Sequence, residues 1–232
     1  MIRPLAQRAV AEFFGTALLV GAVIGSGVMA ERLSGGNTAL ALLANTLATG
    51  AALIALILTF GPISGAHLNP VVTTLAAWGR AFPWVDVIPY VLSQVAGGIG
   101  GALLAHLMFG LRLVSLSQHA RSGPAQILSE LVATFGLVCV IHGTARSRPG
   151  AVAVAVGAYI TSAYWFTAST SFANPAVTIA RSISDTFAGI RPTDVLGFVL
   201  AQFAGGTCAA VLFRWLLGSQ GQTATASTGE NR

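Results

Sequence analysis

The sequence predicts an all-α membrane protein: six transmembrane helices plus two re-entrant half-helices in an inverted repeat. Three observations carry that expectation. Of the 232 residues, 54% are hydrophobic and only 8% charged, where a soluble domain carries about 25% charged residues. Six apolar runs are long enough to cross a hydrocarbon core of ~30 Å, which needs about 20 helical residues. Two Asn-Pro pairs, Asn69-Pro70 and Asn174-Pro175, stand at matching places in the two halves.

The mean hydropathy is +0.76. All twelve basic residues are Arg, against seven acids, and the net charge of +5 comes from isolated charges near the ends of neutral runs. A nucleic-acid partner would need a basic stripe on a polar face, so none is expected. Cys139 and Cys208 are too few for a disulfide framework or a zinc site. No pair of histidines has ligand spacing and no Ser, His and acid form a spaced triad, so neither a metal, a cofactor nor an enzyme is expected.

The six runs are 9–30, 39–60, 87–111, 125–145, 151–169 and 195–217, joined by polar or Arg-bearing connectors at 31–38, 112–124, 146–150 and 184–194. The first is too long for a signal-peptide core and is expected to remain as a span. Two further apolar stretches, 61–78 and 171–183, each follow a span without a polar break and contain an Asn-Pro pair. Asn is a good N-cap and Pro suits the first helical position. Each stretch therefore predicts a loop turning into a helix of about 10 residues, half the length needed to span. Irregular backbone at that depth is tolerated only where it lines a cavity or is buried in protein. The Gly/Ser/Thr/Gln-rich segment 218–232 predicts a disordered tail.

The halves repeat. Glu12 in AEFFGTALLV recurs as Glu130 in SELVATFGLV, NPVVTTLA as NPAVTIAR, and YVLSQVAGG as FVLAQFAGG, in the same order. Each half holds three spans and one half-helix, and an odd number of spans inverts the second half. The expected domain is one channel unit, 1–217, made of repeats 9–111 and 125–217. The half-helix tips should meet near the midplane, each presenting about half an elementary positive charge. Asn69 and Asn174 add amide donors beside Pro70 and Pro175. Such a constriction repels cations and protons and passes a neutral hydroxylic molecule. Gly65, Ala66, His67, Thr170, Ser171 and Phe172 are expected to turn carbonyls toward the lumen.

SGAHLNPVVT (Ser64–Thr73), SFANPAVT (Ser171–Thr178) and AEFFGT (Ala11–Thr16) resemble the two Asn-Pro-Ala boxes and first-helix signature of the aquaporin, or major intrinsic protein, superfamily. The resemblance extends from about Ala9 to Leu217, and it implies a right-handed bundle that assembles as a homotetramer. Val71 replaces the Ala of the first box. The family's filter arginine follows the second box, where this chain has Val177, and Arg181 stands one turn further on and is not expected to replace it. Carried over by spacing from the two asparagines, the other filter positions are Thr49, Ser162 and Ser171, implying a wide, uncharged ring.

Acids within spans are functional candidates by default. The symmetric placement of Glu12 and Glu130 favours holding backbone N–H groups of the re-entrant loops, as the resemblance also implies. Gln94 and Gln202 are expected to cross-brace helices. The resulting expectation is a passive channel for small uncharged solutes: water, glycerol-like polyols and metalloid hydroxides such as arsenous acid. It would sit in a bacterial inner (plasma) membrane with both termini cytoplasmic, and seven Arg against five favour that orientation. The alternatives are a secondary active transporter, which also uses inverted repeats and broken helices, and a weakly selective ion or anion channel.

Overall fold

The computed structural model describes residues 3–217, and the 218–232 segment lies outside the described residues. The elements are α1 (Leu5–Leu33), α2 (Thr38–Ser64), α3 (Pro70–Trp78), α4 (Val87–Met108), α5 (Pro124–Ser147), α6 (Val152–Phe166), α7 (Pro175–Arg181) and α8 (Val195–Leu217). No strand occurs among the described residues beyond one isolated bridge, Ser115 to Ser184.

Five helices are long and apolar enough to cross a membrane: α1, α2, α4 with its leading turn, α5, and α8 with its leading turn. The fifth expected crossing, α6, has only 15 residues. At 1.5 Å per residue that is about 22 Å. A 3-10 turn at Pro149–Ala151 lengthens it at one end. At the other, the chain leaves the helix at Thr167, earlier than the expected 169, and begins the second re-entrant loop. In contrast, α2 outruns its expected end at 60, continuing through Pro62 to Ser64.

Each half closes on a helix pair, α1 against α4 and α5 against α8. The crossings are close because glycine faces backbone. A Cβ on Gly97 would collide with the Phe13 backbone, and one on Gly205 with that of Leu131. Lipid supplies no hydrophobic force between helices, so such contacts rest on close packing at small residues.

The half-helices start where the sequence places them. Pro70 and Pro175 open α3 and α7, and the N-cap side chains accept backbone hydrogen bonds: Asn69 from Val71 N–H at 3.0 Å, Asn174 from Ala176 N–H at 3.0 Å and Val177 N–H at 3.3 Å. They run nine and seven residues, slightly shorter than expected. The tips are tied to each other. Asn69 Nδ2 donates to the Ala173 carbonyl at 2.8 Å, and Asn174 Nδ2 donates to the Leu68 carbonyl at 2.7 Å.

Candidate functional site: a lumen between two half-helices

The loops before the tips adopt backbone that side chains resist. Ala66 and Leu68 have φ of 45° and 48°, and their repeat partners Ser171 and Ala173 both have φ of 49°. Left-handed backbone costs a non-glycine residue roughly 1–2 kcal/mol. Two fully buried carboxylates hold it. Glu12 accepts from His67 N–H (3.0 Å), Leu68 N–H (2.6 Å), Ser64 Oγ (2.6 Å) and Gln94 Nε2 (2.8 Å). Glu130 accepts from Phe172 N–H (2.9 Å), Ala173 N–H (2.9 Å), Ser169 Oγ (2.6 Å) and Gln202 Nε2 (2.6 Å). The two glutamines also donate to Thr73 and Thr178 Oγ1, each at 2.9 Å. The clamps match residue for residue. Ser64, Ser169, Thr73 and Thr178 are members that sequence reasoning did not single out, although Thr73 and Thr178 sit in the repeated NPVVTTLA and NPAVTIAR and the two serines each stand five residues before the box asparagine.

Between the tips and the flanking helices runs a cavity of about 630 Å³. Asn69, Asn174, Thr49, Ser171 and Val177 line it, as do Gly65, Ala66, His67 and Phe172. Four expectations need correction. Ser162 does not reach the cavity; it is exposed on the outer face of α6. The lumen stripe of α6 is Val152, Val156, Ile160 and Tyr164. Two residues along a helix is a rotation of about 200°, which carries Ser162 away from the stripe that Tyr164 joins. The Tyr164 hydroxyl donates to Thr49 Oγ1 across the lumen wall at 3.3 Å.

Thr170 is the second correction. It does not line the cavity; its own φ of 61° starts the turn, and its Oγ1 accepts from Arg121 Nη1 at 3.4 Å. Leu68 and Ala173 line the cavity beside the expected loop residues. Third, one N–H of each tip asparagine is committed to the opposite loop, leaving one for the lumen.

The fourth correction concerns charge. Arg181 lines the cavity and is 1% exposed. Helical side chains lean toward the helix N-terminus, so Arg181 reaches back from the end of α7 to the level of Phe172. Its guanidinium carbon lies 3.3 Å from the Phe172 ring centroid, and Nε donates to the Ala188 carbonyl. Nη1 is buried and has no protein partner, and the same holds for Ser171 Oγ. The ring is therefore neither uncharged nor made only of small residues.

The connector before α5 closes over this end. Arg121 donates from Nε to the Gly189 carbonyl at 2.8 Å and from Nη1 to the Ser169 carbonyl at 3.0 Å, and it lies 4.9 Å from the Phe172 ring centroid. Burial pushes its pKa down to about 10, which leaves it charged at neutral pH. Ser115 and Ser117 N–H groups donate to the carbonyls of Ile183 and Ser182, both at 3.0 Å, strapping the connector beside the end of α7. At the other end the cavity is lined by His142 and Arg146 of α5.

Two inverted halves, two tip-to-tip half-helices and a lumen between them define a membrane channel for small solutes. The chain belongs to the major intrinsic protein family, whose model matches residues 3–151. It is 55% identical over 213 residues to the aquaglyceroporin AqpS of Rhizobium meliloti, covering 92% of this chain and 91% of that protein. It is 32% identical to the probable aquaporin AqpM of Archaeoglobus fulgidus, covering 93% and 99%. The aquaglyceroporin structure from Plasmodium falciparum superposes with a TM-score of 0.70 at 17% identity, covering 90% of this chain and 96% of that one. The family consists of channels rather than enzymes, and this chain is an integral membrane protein that conducts small neutral solutes.

Proposed function

We propose that the protein is an aquaglyceroporin, passing water, glycerol-sized polyols and trihydroxy metalloid acids such as arsenous acid down their gradients. One observation carries the reading: the buried Ser171 Oγ and Arg181 Nη1, both without a protein partner, line the lumen beside Phe172 and Val177. Buried polar groups are normally satisfied, and here a passing solute supplies the missing hydrogen bonds. A hydroxyl accepts from the guanidinium and exchanges a bond with the serine, while its carbon face slides along Phe172 and Val177. Thr49, Tyr164, Ser171, Val177 and Arg181 then form the selective ring. Asn69-Pro70 and Asn174-Pro175 form the central constriction, where two positive helix ends oppose cations.

The unit of function is 1–217, with repeats 9–111 and 125–217 supplying one clamp each. Both Glu12 and Glu130 are occupied by four donors, and this favours a passive pore over a proton-coupled transporter. The bacterial relative and the seven-to-five distribution of Arg support a bacterial inner membrane with cytoplasmic termini, and the family resemblance supports a homotetramer. The test is flux into proteoliposomes. Water, glycerol and arsenous acid should all enter faster than into protein-free vesicles, without saturation and without current. Arg181→Ala should raise glycerol flux relative to water. An unchanged ratio would remove Arg181 from the ring, and saturable uptake abolished by a protonophore would replace the channel with a transporter.

A further inference from the structure

One buried polar cluster belongs neither to the clamps nor to the ring. His106 stands in the last turn of α4 and is 1% exposed. Its Nδ1 lies 2.7 Å from the Leu113 carbonyl, which can only accept, so Nδ1 carries a hydrogen. Its Nε2 lies 2.8 Å from the Ser184 hydroxyl, and Ser184 Oγ is 3.0 Å from Thr186 Oγ1. Ser184 is fully buried and the group behind the imidazole is a carbonyl, so the pair lacks both the access and the carboxylate of a hydrolytic Ser-His-acid site. Its place in the fold gives it another task. Ser184 belongs to the loop after α7, 182–190, and that loop closes on Arg181. The Arg181 carbonyl accepts from Ser184 N–H at 3.3 Å and Ile190 N–H at 3.4 Å, and the Ala188 carbonyl accepts from Arg181 Nε. Between Ser184 and Ala188 the chain makes two hydrogen-bonded turns, Thr186 N–H to the Ser184 carbonyl at 3.0 Å and Gly189 N–H to the Thr186 carbonyl at 2.8 Å.

The link is not part of the duplicated scaffold. At the spacing of the two glutamine helices His106 corresponds to Arg214, and at the spacing of the two boxes Ser184 corresponds to Gly79. Arg214 is exposed and lies 5.3 Å from the Trp78 ring centroid, and Gly79 has no side chain to bond. The repeat equivalent of Arg181 is Ala76. The His–Ser link therefore stands only beside the half-helix that carries an arginine. Resting on the place given to Arg181 in the selective ring, we propose that His106 is the positioning residue for that arginine. It touches no solute. Its two ring nitrogens tie the end of α4 to the connector at Leu113 and to the arginine loop at Ser184. Arg181 Nη1 has no protein partner, so its position in the lumen is set through Nε, and hence by where the loop holds the Ala188 carbonyl.

The experiment measures glycerol and water flux in proteoliposomes of the full chain, less that of protein-free vesicles. The ratio of the two does not depend on how much of a variant assembles. His106→Leu and Ser184→Ala each break the link and should raise the glycerol-to-water ratio several-fold, in the direction of Arg181→Ala. His106→Gln, whose amide offers both an N–H and a carbonyl, should bring the ratio back to that of the parent. In Arg181→Ala protein, adding Ser184→Ala should change the ratio no further, because residues that act through one another are not additive. Parent ratios in both His106→Leu and Ser184→Ala would overturn the proposal. So would a Ser184→Ala shift that adds to that of Arg181→Ala, or a His106→Gln protein no closer to the parent than His106→Leu. An unchanged ratio in Arg181→Ala alone would overturn the ring itself, and this proposal with it.

Discussion

Replacing Glu130 by Gln should unfasten the second re-entrant loop. The carboxylate is fully buried and accepts four hydrogen bonds of 2.6–2.9 Å, two on each oxygen. A glutamine keeps an oxygen on one side and presents an NH₂ group on the other, so two donors lose their acceptor. Hydrogen bonds to a charged group contribute about 1.5–3 kcal/mol each. The loss is therefore about 3–6 kcal/mol, and it falls on the loop whose Phe172 and Ala173 N–H groups the carboxylate holds and whose Ser171 and Ala173 have a φ of 49°. For a chain of this size each kcal/mol corresponds to roughly 2–4 °C. Thermal unfolding in detergent should fall by at least about 6 °C on that scale, and glycerol flux should fall with it. Glu12→Gln should behave alike, since its four partners are the repeat equivalents. A Glu130→Gln protein with wild-type unfolding and flux would refute the clamp. One with intact unfolding but altered proton sensitivity of flux would move Glu130 to proton coupling.

Ser171→Cys should make flux sensitive to mercurials and the parent chain should resist them, because neither free cysteine lines the cavity; strong block of the parent would place a thiol in the lumen. Ile160→Trp should nearly abolish glycerol flux, while Ser162→Trp, on the outer face of α6, should leave it at the parent level. The reverse order, measured by light scattering, would mean that α6 is rotated. Val177→Arg should lower glycerol flux about tenfold, a barrier of roughly 1.4 kcal/mol, with a smaller loss for water. Equal losses in stopped-flow measurements would show that Val177 does not discriminate by size.

The architecture was legible because length and local chemistry are read along the chain. Asn before Pro marks a helix start anywhere, and ten-odd apolar residues cannot cross a bilayer. The glutamates and glutamines were legible because the repeat displayed each twice; Thr73 and Thr178 stand in the same repeat, and Ser64 with Ser169 is found by extending it five residues before each asparagine. The face of α6 was not legible. Its residues are apolar nearly all round, so the 3.6-residue pattern that orients a soluble helix is silent, and lumen cannot be told from lipid. Spacing from Asn174 then selected Ser162 where the lumen has Tyr164. Arg181 was missed for another reason: position in the chain locates a Cα, and a long side chain leaning back along its helix acts a full turn away.

The repeat and its departures divide the work of the molecule. Glu12 and Glu130 bond equivalent groups in both halves, so both loops take the same strained path and the tips meet symmetrically. Symmetry ends at one side chain in each clamp, that of the residue two before the box asparagine. In the first half it is His67, whose Nδ1 is 3.2 Å from Thr73 Oγ1 and whose ring packs on Phe82 and Tyr90. In the second it is Phe172, which has no polar atom to bond Thr178 and instead offers its ring to Arg181 and Arg121. An apolar aromatic ring can seat both, because its π-face is electronegative. The exchange of His for Phe at equivalent positions thus seats two buried guanidiniums on one ring at one mouth, whereas Arg146 at the other mouth is exposed. The duplicated scaffold supplies a symmetric barrier at the centre, and one unduplicated side chain allows selectivity to be built on one side of it.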